Sequence, residues 1–365
     1  MPGWKDKLNG DPIPWLLEDD RSQPGVRYFT LRDILGRGEN DKEVKAARAA
    51  IMTSGPVPVI LAAQQPDGYW DNPVQGYGRK YRVTEWALAY MAQFGANGAD
   101  PRVRAGCEYL LSQYVDSNGG LAYTGTDFSC TAGRMGAALI DLGWLNDQRL
   151  QTTMEWMAQT ITGEGVADAS SRDTNKRYEK SKNSSSQFAC SANANLQCAW
   201  GAIKAMIALS KVPPAQRTKN MQEAIKRGMD FLLSRNPAVA DYPKWHGNRP
   251  ASIWFKFVYP LDSYADVLQN LEALVALGEA HNPQLANALE LVIGKQDGQG
   301  RWLLERTYKD LTGTGGKVPR DLQAYRRWYL RTIKDWVDIE KKGQASKWVT
   351  LRALRVLKAA YPETR

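Results

Sequence analysis

The sequence predicts an all-α protein in which helical hairpins form one ring, an α/α toroid of five to six hairpins. Three observations lead to this fold class. Apolar residues recur with the period of an α-helix along most of the 365 residues. Alternating strand patterns are short and rare. Successive helix pairs also end in a similar phrase, which is typical of repeat architectures.

Helical spacing is clear in several segments. Leu196, Trp200, Ile203 and Ile207 follow the spacing i, i+4, i+7 and i+11, which places them on one helix face. The same criterion predicts twelve helices, near 26–36, 41–52, 81–94, 101–115, 129–142, 147–161, 193–210, 216–234, 262–278, 283–295, 321–337 and 345–360. Gly143 and Gly278 each follow a leucine, and each is predicted to end a helix, because glycine adopts the left-handed capping conformation at low cost.

The helix pairs form a repeat. Gln64 to Trp70 and Gln296 to Trp302 both fit the pattern Q-x3-G-x-W, and weaker relatives occur at positions 113, 159 and 235. These anchor positions are 49, 46, 76 and 61 residues apart. Spacings of this order indicate a helical-hairpin repeat with insertions. Closing the hairpins into a ring removes the apolar end that an open array must cap.

One repeated unit favours one domain over residues 1–365, although length alone suggests about two. Three segments depart from the repeat: an N-terminal arm at 1–24, a polar loop at 163–187 and a basic insertion at 303–344. The chain carries 48 Lys and Arg against 39 Asp and Glu, a net charge of +9. Residues 301–365 contain 16 of the Lys and Arg and 7 of the Asp and Glu, so the whole excess of positive charge lies in this segment.

The basic insertion contains Arg326, Arg327 and Arg331. It could attract an anionic small molecule, lie on an anionic membrane surface, or be a solvated outer face. Nucleic acid is not expected as a partner, because no nucleic-acid-binding motif accompanies these charges. No apolar run approaches the roughly 18–20 residues that span a bilayer. The first residues lack an apolar signal region, so we expect a cytoplasmic protein with reduced thiols.

The Q-x3-G-x-W segments resemble the repeat signature of squalene and oxidosqualene cyclases. The stretch from Gly119 to Gly143 is similar to a repeat of protein prenyltransferase β-subunits. Together the matches cover roughly residues 60–305. The resemblance implies an α/α toroid with a central cavity for an apolar or isoprenoid-like ligand.

The catalytic motif of the cyclases is altered in this chain. The family's alkene-protonating motif is D-x-D-D-T-A, and the matching stretch runs from Asp127 to Ala132 with Ser129 where the proton donor would stand. A serine hydroxyl is too weak an acid to protonate an alkene. No D-D-x-x-D motif is present either. We therefore expect a divergent member in which the standard acid is absent and catalysis is open.

Five residues are candidates for any chemistry: Asp127, Cys130, Arg134, Asp262 and Asp266. Arg134 lies four residues after Cys130, so both would point the same way, toward an anion or a carboxylate such as Asp127. Asp262 and Asp266 are spaced to share one face of a first helical turn. They could bind a metal–diphosphate or act as acid and base. The alternative is that their negative charges only stabilise the positive N-terminus of a helix.

A zinc site is a further possibility that the resemblance raises. Prenyltransferase β-subunits hold zinc with Asp, Cys and His, and this chain offers Cys130, Cys190, Cys198 and His246. Thiolate ligands favour zinc. The alternative is that the cysteines are small buried thiols, which is the usual role of free cysteine.

Four aromatic residues near predicted inner-helix starts could line the cavity: Trp86, Trp200, Tyr264 and Trp348. Aromatic faces stabilise carbocations as they stabilise other cations; the alternative is packing between two helical layers. Three functions therefore stay open. They are a divergent cyclase- or prenyltransferase-like ligand-binding protein, a non-catalytic scaffold, and a carbohydrate-active α/α barrel with two carboxylates about 5–10 Å apart.

Overall fold

The computed structural model describes residues 3–73, 81–115, 119–120, 129–164, 166–168, 179–181, 184–244, 247, 250–308, 310 and 333–363. Asp127, His246 and the three insertion arginines lie outside this set. Side chains between 165 and 185 are outside it as well. The described part is dominated by helices, which confirms the all-α fold class.

Fourteen α-helices occur in the described residues. They are α1 Ile13–Leu16, α2 Gly25–Phe29, α3 Lys42–Ile51, α4 Pro56–Ala62, α5 Thr84–Phe94, α6 Pro101–Tyr114, α7 Ser129–Asp141, α8 Gln148–Thr162, α9 Ala199–Ser210, α10 Lys219–Leu233, α11 Val267–Ala276, α12 Ala286–Ile293, α13 Lys334–Val337 and α14 Lys347–Ala360. A π-helical turn at Thr30–Ile34 continues α2. Five short strands accompany them: β1 Val166–Asp168, β2 Glu179–Ser181, β3 Ser184–Ser185, β4 Ala189–Cys190 and β5 Leu196–Gln197.

Six helical segments form an inner ring, in the order α2, α5, α7, α9, α11 and α14. The neighbouring inner helices α7 and α9 run parallel. Between them, Cys130 approaches Gly201 and Gly133 approaches Lys204. A Cβ on Gly133 would collide with the Lys204 backbone, so glycine permits this close approach. The starts of α7 and α9 consequently lie on one face of the ring and their ends on the other.

The outer layer consists of the helices that follow or precede each inner one, including α6, α8, α10 and α12. Short turns join the end of each inner helix to the next outer helix. Gly95, Gly143 and Gly278 end three inner helices or their last turns with φ of +84°, +89° and +99°. Asp100 and Asp147 cap the outer helices α6 and α8 by accepting hydrogen bonds from backbone N–H groups.

The two ends of the chain complete the ring. The indole of Trp348 on α14 packs against the aromatic side chains of Phe94 and Phe29, at centroid distances of 5.8 and 6.1 Å. In the N-terminal arm, Trp4 is buried and its N–H donates to the carbonyl of Tyr361 at 2.8 Å. The arm thus packs against the end of α14.

The two Q-x3-G-x-W segments make matching hydrogen bonds. The indole Nε1 of Trp70 donates to the Ile60 carbonyl at 2.7 Å, and that of Trp302 donates to the Val292 carbonyl at 2.7 Å. The backbone N–H of each tryptophan donates to the hydroxyl of a threonine on the following inner helix. Each segment therefore joins one hairpin to the next by hydrogen bonds as well as by ring packing.

The structure corrects several predicted helix boundaries. The helix expected over 193–210 begins at Ala199, because residues 186–198 form short strands and turns with left-handed backbone at Gln187, Phe188, Ala194 and Asn195. The helix expected over 262–278 begins at Val267. Helix α4 was not predicted, since its two prolines, at the first helical turn, resemble a loop signal.

No helix in the described ranges has both the length and the apolar character that a membrane span requires.

Candidate functional site

A cavity of about 580 Å³ lies inside the ring. Its walls come from the middle and the C-terminal ends of the inner helices. Lys211 and Asp141, at the ends of α9 and α7, are partly exposed at its rim. The sequence pointed to the opposite face, where the inner helices begin.

Part of the wall is apolar and made of small residues. Ala89 and Ala92 come from α5, and Gly133, Ala137 and Ala138 come from α7. Small side chains on two neighbouring inner helices leave the centre of the ring open. Larger residues at these positions would fill the cavity, as ordinary cores are filled.

The remaining wall is strongly charged, and among the described residues each of its charged side chains except Lys204 has an ion-pair partner. Arg352 on α14 is 2% exposed and donates to Glu272 at 2.7 Å and to Asp266 at 3.3 Å. Arg355 pairs with Asp33 at 2.5 Å. Removing one partner of the Arg352 pairs leaves an uncompensated buried charge, which makes these pairs structural constraints on the ring.

The two predicted acidic candidates, Asp262 and Asp266, both bind arginines. Asp262 lies in the loop before α11 and not on the helix; its carboxylate accepts from Arg306 at 2.5 Å and from the Tyr264 N–H at 2.8 Å. Asp266 caps α11 by accepting from the Gln269 N–H at 2.7 Å. Both carboxylates are fully engaged as hydrogen-bond acceptors. The expected arrangement on one face of a helical turn does not form, because the helix starts after both residues.

Arg134 lines the cavity and pairs with Glu85 across the α5–α7 contact at 2.8 Å. Its guanidinium lies over the Trp86 ring, 3.7 Å from the centroid. This stacking and ion pairing hold Arg134 in one orientation.

None of the four aromatic residues predicted to line the cavity is among the described residues that do so. Trp86 and Trp348 are each 1% exposed and pack inside the ring. Trp200 and Tyr264 are half-buried and meet edge to face at 4.6 Å, close to the start of α9. The aromatic side chains that do line it are Tyr28, Phe29 and Tyr259.

Lys204 is the site residue that sequence reasoning missed. It lies in the middle of α9, lines the cavity and is 4% exposed. Its Nζ donates to the Tyr264 carbonyl at 3.1 Å and to the Gln269 side-chain oxygen at 3.4 Å. Burial lowers the pKa of this ammonium to about 8, against the attraction of Asp262. The sequence feature that could have identified it is that Lys204 is the one lysine among the apolar residues of α9.

Three predicted metal ligands come near one another at the starts of α7 and α9. The thiol of Cys198 donates to the sulfur of Cys190, and with N–H groups of Ala192 and Asn193 it lowers the pKa of Cys190 to about 7. That same hydrogen bond and burial raise the pKa of Cys198. Cys130 is close enough to act electrostatically on Cys198.

These thiols do not by themselves form a metal centre. Within the described ranges, no three His, Cys, Asp or Glu side chains are arranged so that they could hold a metal ion. His246 lies outside those ranges, as does Asp127. The zinc site therefore stays a prediction.

No protein-family model matches the chain. Among solved structures, the type II terpene cyclase MstE from Scytonema is similar in its apo form, at 15% identity and a TM-score of 0.44, over 94% of this chain and 86% of that one. Its complex with geranylgeranyl dihydroxybenzoate, a substrate, matches at 15% identity and a TM-score of 0.42, over 93% and 86%. The complex with merosterolic acid A, a product, matches at 11% and 0.32, over 86% and 97%. All three TM-scores are below 0.5.

Proposed function

We propose that this protein binds an amphipathic small molecule in its central cavity, with an isoprenoid-like apolar body and a polar head. The observation that carries the proposal is the mixed cavity wall. Small apolar residues on α5 and α7 leave about 580 Å³ open, and charged residues occupy the rest of the wall. Ligand pockets of 300–1,000 Å³ commonly combine an apolar lining with a few polar groups that orient the ligand.

The same wall does not favour alkene protonation. Its carboxylates, including Asp33, Asp141, Asp262 and Glu272, each lie within 4 Å of an arginine or lysine nitrogen among the described residues. Each of these carboxylates already has a cationic partner, so none of them stands free to deliver a proton to an alkene. The same pairing speaks against the carbohydrate-active alternative, which needs an acid and a base free to act on a substrate.

Calorimetric titration tests the proposal with two probes that share an apolar chain, farnesol and farnesyl diphosphate. The Ala137→Trp variant places a large ring in the cavity from α7, and we expect at least tenfold weaker binding of both probes. The matched control is Ala46→Trp, at an exposed position on α3, which leaves binding unchanged.

A wild-type protein that binds neither probe overturns the proposal, as does binding that Ala137→Trp leaves unaltered. Tighter binding of the diphosphate than of the alcohol assigns the charged wall to an anionic head. Circular dichroism of both variants checks that the helices are intact.

A further inference from the structure

We propose that Lys204 is a covalent capture site for an aldehyde or ketone group, forming an imine with a carbonyl ligand inside the cavity. The proposal rests on the proposed function only in placing the ligand in the same cavity. The geometry behind it is a buried amine on an inner helix that lines an open space and has neutral hydrogen-bond partners.

Lys204 differs from the other charged residues of the wall. Arg32, Asp33, Arg352 and the others each have an ion-pair partner in the described part of the chain. In that same part, Lys204 has no carboxylate within 4 Å, and its Nζ contacts a carbonyl and an amide oxygen. Neutral acceptors hold an amine in place without requiring it to be charged, whereas a carboxylate would hold it as ammonium.

Charged groups face Lys204 from each neighbouring element. From α7, the Arg134 guanidinium disfavours a second positive charge, and Cys130 would favour it if ionised. From the loop before α11, Asp262 and Asp266 favour the ammonium, but each is bound by an arginine. Burial outweighs these attractions, and the pKa of Lys204 falls to about 8. At pH 8 a lysine of this kind holds about 100 times more neutral amine than an ordinary surface lysine.

The chemical step needs only this amine and the carbonyl compound. The nitrogen lone pair attacks the carbonyl carbon, and a C–N bond forms while the C=O π bond breaks. The nitrogen then loses two protons to the oxygen, directly or through water, and the oxygen leaves as one water molecule. The product is a neutral imine, with no change in oxidation state and no further reactant.

Reductive trapping tests the inference in the full-length protein. The protein is incubated at pH 8 with benzaldehyde or with the isoprenoid aldehyde geranial, and sodium cyanoborohydride reduces any imine to a stable secondary amine. Peptide mass spectrometry then locates the adducts. We expect Lys204 to be labelled at least tenfold faster than Lys211, which belongs to the same cavity but pairs with Asp141 at 2.8 Å.

Two further arms keep the result interpretable. Lys204→Met removes the fast adduct and leaves the slow labelling of Lys211. Farnesol carries no carbonyl, so its binding reports on the proposed function separately from imine formation. If farnesol binds but the aldehydes label Lys204 no faster than Lys211, the inference is overturned and the proposed function stands. Fast labelling of Lys204 by benzaldehyde, without any binding of farnesol, upholds it and contradicts the isoprenoid-like ligand.

Discussion

At the scale of single residues, Lys204 shows how the ring alters an ordinary side chain. Its pKa of about 8 is below the usual 10.5, so between those values the folded protein binds fewer protons than the unfolded chain. Stability must therefore rise as the pH increases through this window. Below pH 8 the buried ammonium imposes its full cost.

We expect the free energy of unfolding to increase by about 2 kcal/mol from pH 7.5 to 9.5 because of Lys204 alone. Urea unfolding at several pH values measures this. Other groups titrate in the same window, so the comparison is with Lys204→Met, which should lose the increase. Lys211→Met, the control, should keep it. Equal profiles for wild type and Lys204→Met would show that the amine is not buried as described.

The thiols differ from one another in the same way. A hydrogen bond from Cys198 lowers the pKa of Cys190 to about 7, while burial raises that of Cys107 to about 12. At pH 7.5 we expect iodoacetamide to alkylate Cys190 at least ten times faster than Cys107, as followed by peptide mass spectrometry. Equal rates contradict the assigned hydrogen bond.

Metal analysis of the same preparation tests the zinc prediction. A bound ion should appear at about one zinc per chain and protect Cys130, Cys190 and Cys198 together from alkylation. Cys107→Ser is the control, since it should not alter metal content. Less than about 0.1 zinc per chain ends the prediction.

At the scale of elements, the Q-x3-G-x-W segments act as joints between hairpins. Trp70→Phe and Trp302→Phe each remove an indole N–H donor, and the Ile60 and Val292 carbonyls keep the backbone N–H bonds from Ala63 and Lys295, at 3.1 and 3.2 Å. We expect each to lower the free energy of unfolding by about 0.5–1.5 kcal/mol through the loss of this hydrogen bond, in addition to the effect of the smaller ring. Urea denaturation measures the change.

Trp156→Phe provides the control for ring size. Trp156 is 6% exposed, and its indole nitrogen has no hydrogen-bond partner among the described residues. Its loss of stability should therefore be smaller than that of either repeat tryptophan. If all three variants lose the same stability, the hydrogen bonds contribute nothing measurable.

Helix positions were largely predictable because an amphipathic face leaves a periodic trace in the sequence. The helices α7, α8 and α10 begin and end within three residues of their predicted bounds. The start of α9 was not predictable, because the loop before it adopts left-handed backbone at Ala194 and Asn195, which local pattern does not specify.

At the scale of the whole molecule, closure of the ring depends on residues far apart in the chain. Trp4 of the N-terminal arm is 3% exposed and lies against the end of α14. Gln296, in the last repeat segment, donates to the Lys7 carbonyl at 2.8 Å and accepts from the Asn9 N–H at 2.8 Å. The arm is thus part of the ring's structure.

We expect Trp4→Ala to lower the free energy of unfolding by about 3–5 kcal/mol, because it empties a buried aromatic site at the closure. Equilibrium urea unfolding, followed by circular dichroism, measures the loss. Lys5→Ala, at an exposed neighbouring position, should leave the midpoint unchanged. An unaltered midpoint for Trp4→Ala would mean that the arm does not contribute to ring stability.

The all-α class and the ring of hairpins were predictable without coordinates, because helical periodicity and repeated motifs are local properties of the chain. Which charged side chains pair with one another depends on the packing of distant segments. Asp262 and Arg306 are 44 residues apart, and Asp266 and Arg352 are 86 apart. Such pairs depend on how the inner helices are arranged around the ring. For the same reason the cavity, and Lys204 within it, could be found only once the helices were in place.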